Sequence, residues 1–322
     1  MPKPSKPSQI QQPSRLIEFV GCRENRSPMV HRQDKFSYRE VLPVNQDERR
    51  RKLSQNFLVD QRAISTMVDA LEGDVRTPVL EFAAGSGNIT RKLVSGGYSV
   101  SAVELDHQLA SKLKVDFAGK ARVFECDLMA FELPTEAFNI VSNVPFHLST
   151  DLQRRLMMAS HWTIAVLLLQ WEVARKRAGL QGGTLVTAAW WPWFDFELLA
   201  RVPAHAFRPV PRVDCGILRI RRRPLPLVDD QVAYQQFVEA VFTGRGRGLG
   251  NILQKFLAKG VLDSVGREQS IDFNGLPKDL TPPQWVALFR AFSAFKNTKS
   301  GTSNNGRAAP KFTKRTRDYS PR

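Results

Sequence analysis

From residue 79 onward the chain alternates short runs of β-branched and aliphatic residues with stretches whose apolar positions recur every three or four residues. The first pattern reads as strands and the second as amphipathic helices. Strands are predicted at Val79 to Ala83, Tyr98 to Leu105, Arg122 to Asp127, Phe138 to Val144 and Ile164 to Gln170. Helices are predicted between them at Asn88 to Ser95, His107 to Phe117 and Thr150 to Ala159, the last with Ser149 or Thr150 as its N-cap. Such alternation predicts an α/β, Rossmann-like fold: a parallel sheet covered by helices, joined by right-handed crossovers.

After Gln170 the pattern changes. Thr184 to Trp193, Phe196 to Val202 and Cys215 to Arg221 read as strands added antiparallel to the sheet edge. The aromatic cluster of Trp190, Trp191, Trp193, Phe194 and Phe196 reads as core packing rather than as a platform for stacked bases. Pro224 and Pro226 mark a linker. Beyond it, helices are predicted at Val232 to Phe242, Leu249 to Ala258 and Pro283 to Phe292, the last opened by Thr281 with proline in its first turn. These form a smaller all-helical C-terminal domain.

Composition narrows the class. At 322 residues and 42% hydrophobic content the chain can build a sizeable core. Its longest uncharged apolar run, Thr163 to Leu169, is far short of the roughly 20 residues that span a bilayer. The first forty residues carry Glu18, Glu24 and Asp34 and resemble no leader, so a cytoplasmic protein with no membrane partner is expected. Cys22, Cys126 and Cys215 lack zinc-site spacing, no metal is expected, and Cys126 and Cys215 read as small buried hydrophobes.

Charge adds a partner. The net charge of +16 favours a polyanion. Met1 to Lys52 holds twelve basic against six acidic residues, and Arg307 to Arg322 six against one. The expected organisation is therefore a basic disordered arm (1–48), an α/β domain (49–225), a helical domain (226–296) and a basic disordered tail (297–322).

The candidate chemistry lies at successive strand ends. Ala83-Ala84-Gly85-Ser86-Gly87-Asn88 joins the first strand to a helix, which lets a ligand approach the backbone closely. Seventeen residues after Gly87, Glu104 ends the second strand and can accept hydrogen bonds from both hydroxyls of a ribose. Asp127 ends the third and can accept from an adenine amino group. Each acid alone is equally a solvated strand end; in register they point to a nucleoside. Glu81, just before the loop, would repel a pyrophosphate, and the lysine of phosphate cradles is missing. An adenosyl group carrying a sulfonium cation, as in S-adenosylmethionine, fits better.

The fourth strand ends in Asn143-Val144-Pro145-Phe146. An adenine's exocyclic nitrogen is a poor nucleophile because its lone pair is delocalised into the ring. The Asn143 side-chain oxygen and Val144 carbonyl can accept its two hydrogens, Pro145 fixes the chain direction, and Phe146 can stack on an unstacked base. His147 beside them is considered as a general base and set aside, since the amino group loses its proton readily after transfer.

Ser54-Gln55-Asn56-Phe57-Leu58, the glycine loop, Glu104, Asp127 and Asn143 to Phe146, in that order, resemble the rRNA adenine methyltransferase superfamily over about Lys52 to Phe295. Gln170-Trp171-Glu172-Val173-Ala174, the tryptophan-rich segment and Phe207-Arg208-Pro209-Val210-Pro211-Arg212-Val213-Asp214 are similar to actinobacterial erythromycin-resistance (Erm) enzymes. The resemblance implies an S-adenosylmethionine-dependent methyltransferase acting on N-6 of an adenine in large-subunit rRNA before full assembly, as a monomer, with resistance to macrolides, lincosamides and streptogramin B. It alone assigns RNA binding to the helical domain (226–296), and it also implies cofactor contacts from Gln55, Asn56, Leu58, Glu81, Ala83, Gly85, Gly87, Glu104, Leu105, Asp127, Leu128 and Asn143. The family's first loop glycine is Ala83 here, which leaves backbone contacts intact if φ there is negative. Alternatives are the small-subunit rRNA dimethyltransferase, which more often has Tyr in place of Phe146, and a non-enzymatic RNA-binding or transcription factor on the same fold.

Overall fold

The computed structural model describes residues 56–180 and 182–300, with side chains to residue 296. Gln55 and the arm at 1–48 lie outside these residues, as does the 297–322 tail beyond Ser300. The chain divides into two compact units, one ending at Gln235 and one beginning at Gln236.

The first unit is built on β2 (Val79–Phe82), β3 (Val100–Glu104), β4 (Ala121–Glu125), β5 (Phe138–Asn143), β6 (Trp162–Gln170), β7 (Phe194–Val202) and β9 (Cys215–Arg222). They form one sheet in the order β4-β3-β2-β5-β6-β9-β7. The first five are parallel; β9 runs antiparallel to β6, and β7 antiparallel to β9, as the edge addition predicted. The strand order reverses between β2 and β5, and a doubly wound sheet opens a crevice at the carboxyl ends of its strands there.

Alternation along the strands sends side chains into two cores. Val79, Val141, Val166 and Leu168 face Ile64, Met67 and Leu93, contributed by α1 (Gln61–Asp69) and α2 (Asn88–Ser95). Leu80, Phe82, Ala165 and Leu167 face Phe131, Leu152 and Leu156, the last two from α4 (Ser149–Met158). Each such burial contributes about 1.5–3 kcal/mol, so the central strands are apolar at most positions, with Glu81, Ser101, Asn139 and Ser142 as buried polar exceptions. Between them α3 (His107–Asp116) is capped by the Asp106 carboxylate, which accepts from the Gln108 and Leu109 N–H groups. Cys215 is buried with a free thiol, as expected, whereas Cys126 is buried but disulfide-bonded.

Several local expectations are corrected. Thr184 to Trp193 is not a strand: α6 (Leu185–Trp190) forms there, because the Thr184 hydroxyl accepts the Thr187 N–H at 3.1 Å and caps the helix. Helix α4 has no side-chain cap; it continues directly from a single tight turn at Phe146–Leu148. The aromatic cluster packs as core: Trp162 stacks on Phe194 at 5.1 Å, and Trp190 lies against both Phe194 and Trp193. A helix not anticipated, α5 (Trp171–Arg177), follows β6 immediately.

The second unit takes in the end of α7 (Gln231–Phe242), then α8 (Gly248–Leu253), α9 (Lys259–Gln269) and α10 (Pro282–Ser300). It is helical as predicted, although α8 stops five residues before the expected Ala258 and α9 was not foreseen. Phe237, Phe256, Trp285, Phe289 and Phe292 form its aromatic centre.

Candidate functional site

A cleft of about 740 Å³, open to solvent, lies at the carboxyl ends of β2, β3 and β5, where the strand order predicts a ligand site. Ala83 and Gly85 line it from the loop after β2, and Glu104 and Leu105 from the end of β3. Asp127 and Leu128 follow β4, while Asn143, Val144, Pro145 and Phe146 follow β5. Asn56 completes the set from the N-terminal segment.

Glu104 organises one wall. Its carboxylate accepts the Gly85 N–H at 2.7 Å through one oxygen and the Asp106 N–H at 2.9 Å through the other. The side chain is buried, and burial pushes its pKa up, against the opposing effect of these donors. The Leu105 N–H donates to it as well, so of about four acceptor sites roughly one remains for a ligand hydroxyl.

The glycine loop is shaped by φ. Gly85 and Gly87 have φ of +57° and +79°, and a Cβ at Gly85 would meet the Phe57 ring at 2.9 Å. Only a residue without a side chain fits such a close approach. Ala83 also lies in the left-handed region, with φ of +55°. The condition of negative φ is thus not met, and alanine holds a conformation that costs it about 1–2 kcal/mol.

Asp127 folds its own loop. One carboxylate oxygen accepts the Met129 N–H at 2.8 Å, and its carbonyl accepts from Ala130 and Phe131. The side chain is exposed, which leaves its second oxygen accessible to a ligand.

Asn143 is fixed from the N-terminal side: its amide nitrogen donates to the Asn56 carbonyl at 2.7 Å. The oxygen of that amide is therefore the atom available as an acceptor. The segment carrying Asn56 is held by β1 (Phe57–Leu58), which pairs antiparallel with β8 (Phe207–Arg208), and by Asn88, which donates to the Leu58 carbonyl at 2.8 Å. Through this pairing the start of the Phe207 to Asp214 motif supports the segment that carries Asn56.

Three expected contacts lie behind the cleft rather than on it. Leu58 is buried in the core, Gly87 caps α2, and Glu81 is fully buried with Thr90 donating to it at 2.6 Å. Burial pushes the Glu81 pKa up to about 8. Phe57, Val103, Cys126, His147 and Leu148 line the cleft without having been assigned as site residues. Phe57 lies within the motif at residues 54–58, but its contact is with Gly85, 28 residues away, so no local pattern singles it out.

The chain matches the model of the ribosomal RNA adenine dimethylase family over residues 46–293. It is 42% identical over 263 residues to the mycinamicin-resistance protein MyrB of Micromonospora griseorubida, covering 81% of this chain and 85% of that one. To an rRNA adenine N-6-methyltransferase of Corynebacterium diphtheriae it is 45% identical over 204 residues, 62% of this chain and 80% of the relative. The solved structure of the 23S rRNA methyltransferase ErmE superposes with a TM-score of 0.70 at 29% identity, covering 74% of this chain and 100% of that one. A Plasmodium falciparum dimethyladenosine transferase, at 17% identity and a TM-score of 0.60 over 76% of this chain and 98% of its own, shares the fold.

Proposed function

The chain belongs to the ribosomal RNA adenine dimethylase family as an S-adenosylmethionine-dependent rRNA adenine-N6-methyltransferase of the Erm type, and we propose that its target is one adenine in the peptidyl-transferase loop of the large-subunit rRNA. It acts on that RNA as a monomer, in the cytoplasm, before the subunit is fully assembled. Methylation there places bulk where macrolides, lincosamides and streptogramin B bind.

The observation that carries the chemistry is the Asn143 amide, which lines the cleft with its nitrogen committed to Asn56. S-adenosylmethionine, when bound, supplies a methyl group on a sulfonium sulfur. The cleft suits its adenosyl part: Glu104 receives a ribose hydroxyl, Asp127 the adenine amino group, and the loop from Ala83 to Gly85 leaves room for close backbone approach. For the target, the Asn143 side-chain oxygen and the Val144 carbonyl accept the two amino hydrogens. Phe146 stacks on the base drawn out of the RNA. Holding the lone pair in one direction is worth more than any proton transfer here, because positioning alone can supply several kcal/mol of barrier reduction.

Large-subunit specificity is supported by the similarity to MyrB and to the 23S rRNA enzyme and by Phe146 in place of tyrosine. The basic arms add sequence-independent phosphate contacts. A susceptible bacterium expressing the chain becomes resistant to erythromycin and clindamycin together, and loses both resistances with Asn143→Ala. Unchanged susceptibility in cells that make the folded protein would overturn the proposal.

A further inference from the structure

Arg155 projects from α4, the helix that continues the catalytic segment Asn143 to Phe146, yet its guanidinium is bound to the opposite wall of the cleft. One Nη donates to the carbonyl of Leu128 and the other to that of Phe131. The cation also lies 6.0 Å from the centre of the Phe82 ring, the last residue before Ala83. Burial lowers the Arg155 pKa, while the charge of Asp127 opposes that shift and keeps the cation favourable.

The two carbonyls it grips, at positions 128 and 131, follow Asp127 directly in the same loop. Within that loop one Asp127 oxygen is already held by the Met129 N–H, so the direction of the other is set by the loop's own path. Leu128 and Phe131 are buried beneath it, Phe131 against Phe82 and Phe124. A planar fork that satisfies two carbonyls at fixed separation holds such a path more tightly than a lysine's single point of charge.

We propose that Arg155 is a positioning residue for the cofactor: it ties the loop of Asp127 and Leu128 to the helix of the catalytic segment, and so sets the recognition of the adenine amino group. This rests on the reading of Asp127 as the acceptor for that group. Recognition should therefore depend on a residue that touches neither substrate.

The test uses the full chain, Arg155→Met and Arg155→Lys, with calorimetric binding of S-adenosylhomocysteine and of its analogue carrying purine in place of adenine. The parent should prefer the amino-bearing ligand by about tenfold or more, as expected for a hydrogen bond to a charged acceptor. In Arg155→Met the preference should fall to near unity, with Arg155→Lys between; the lysine variant alone decides the matter if the methionine variant does not fold. A parent-sized preference in folded variants, whatever their melting temperatures, overturns the proposal and leaves the Asp127 reading standing. No preference in the parent overturns both.

Discussion

Asn143 donates its side-chain amide to the main-chain carbonyl of Asn56 at 2.7 Å, joining two segments 87 residues apart. The bond decides which end of the amide is left to meet a substrate. Asn143→Ala should abolish methyl transfer, to less than about a hundredth of the parent rate, a loss that exceeds about 2.7 kcal/mol of barrier. Circular dichroism should show the fold intact, since Asn143 is only half-buried. Retained turnover would refute the acceptor role.

Glu104 should govern cofactor affinity. Glu104→Gln replaces one acceptor oxygen by a donor that must face the N–H of Gly85 or Asp106. Loss of a charge-assisted hydrogen bond to the ribose should weaken S-adenosylmethionine binding by about 1.5–3 kcal/mol. Calorimetry showing parent affinity would move the ribose elsewhere.

Ala83→Gly should stabilise the protein. At φ of +55° alanine carries a steric cost that glycine lacks, partly offset by glycine's greater freedom when unfolded. The expected gain is up to about 1 kcal/mol, or roughly 2–4 °C in melting temperature for a unit of this size. A lower melting temperature would show that the methyl group contributes packing that outweighs the strain.

Glu81 should make stability fall with rising pH. Its ordinary value is 4.5 and burial raises it to about 8 in the folded state. Between those values the native state holds a proton that the unfolded chain releases, so this contribution is full below about 4.5 and is lost as pH rises through about 8. Urea unfolding at pH 5 to 9 should show that decline, and Glu81→Gln should flatten it. Equal slopes for parent and variant would place the linkage on another group.

Legibility in the sequence tracked how local each cause is. Strands β2 to β6 and the acids at their ends were readable because apolar runs, glycines and carboxylates follow one another within a few residues. Thr184 to Trp193 was misread because tryptophan and valine favour strands, while the deciding contact was a single threonine cap. The burial of Glu81 behind the loop is set by tertiary packing, and the pairing that brings Phe207 to Leu58 joins residues 149 positions apart. No local window of sequence contains both strands of that pairing. The same holds for φ at Ala83, which departs from the value that a non-glycine residue ordinarily takes.

The central claim is the choice of target, and a map of methylated adenines in both ribosomal RNAs tests it most directly. Primer extension on RNA from a susceptible bacterium expressing the chain should stop at one adenine in the peptidyl-transferase loop of the large-subunit rRNA, and the stop should vanish with Asn143→Ala. New methylation confined to two adjacent adenines of the small-subunit rRNA would contradict the account.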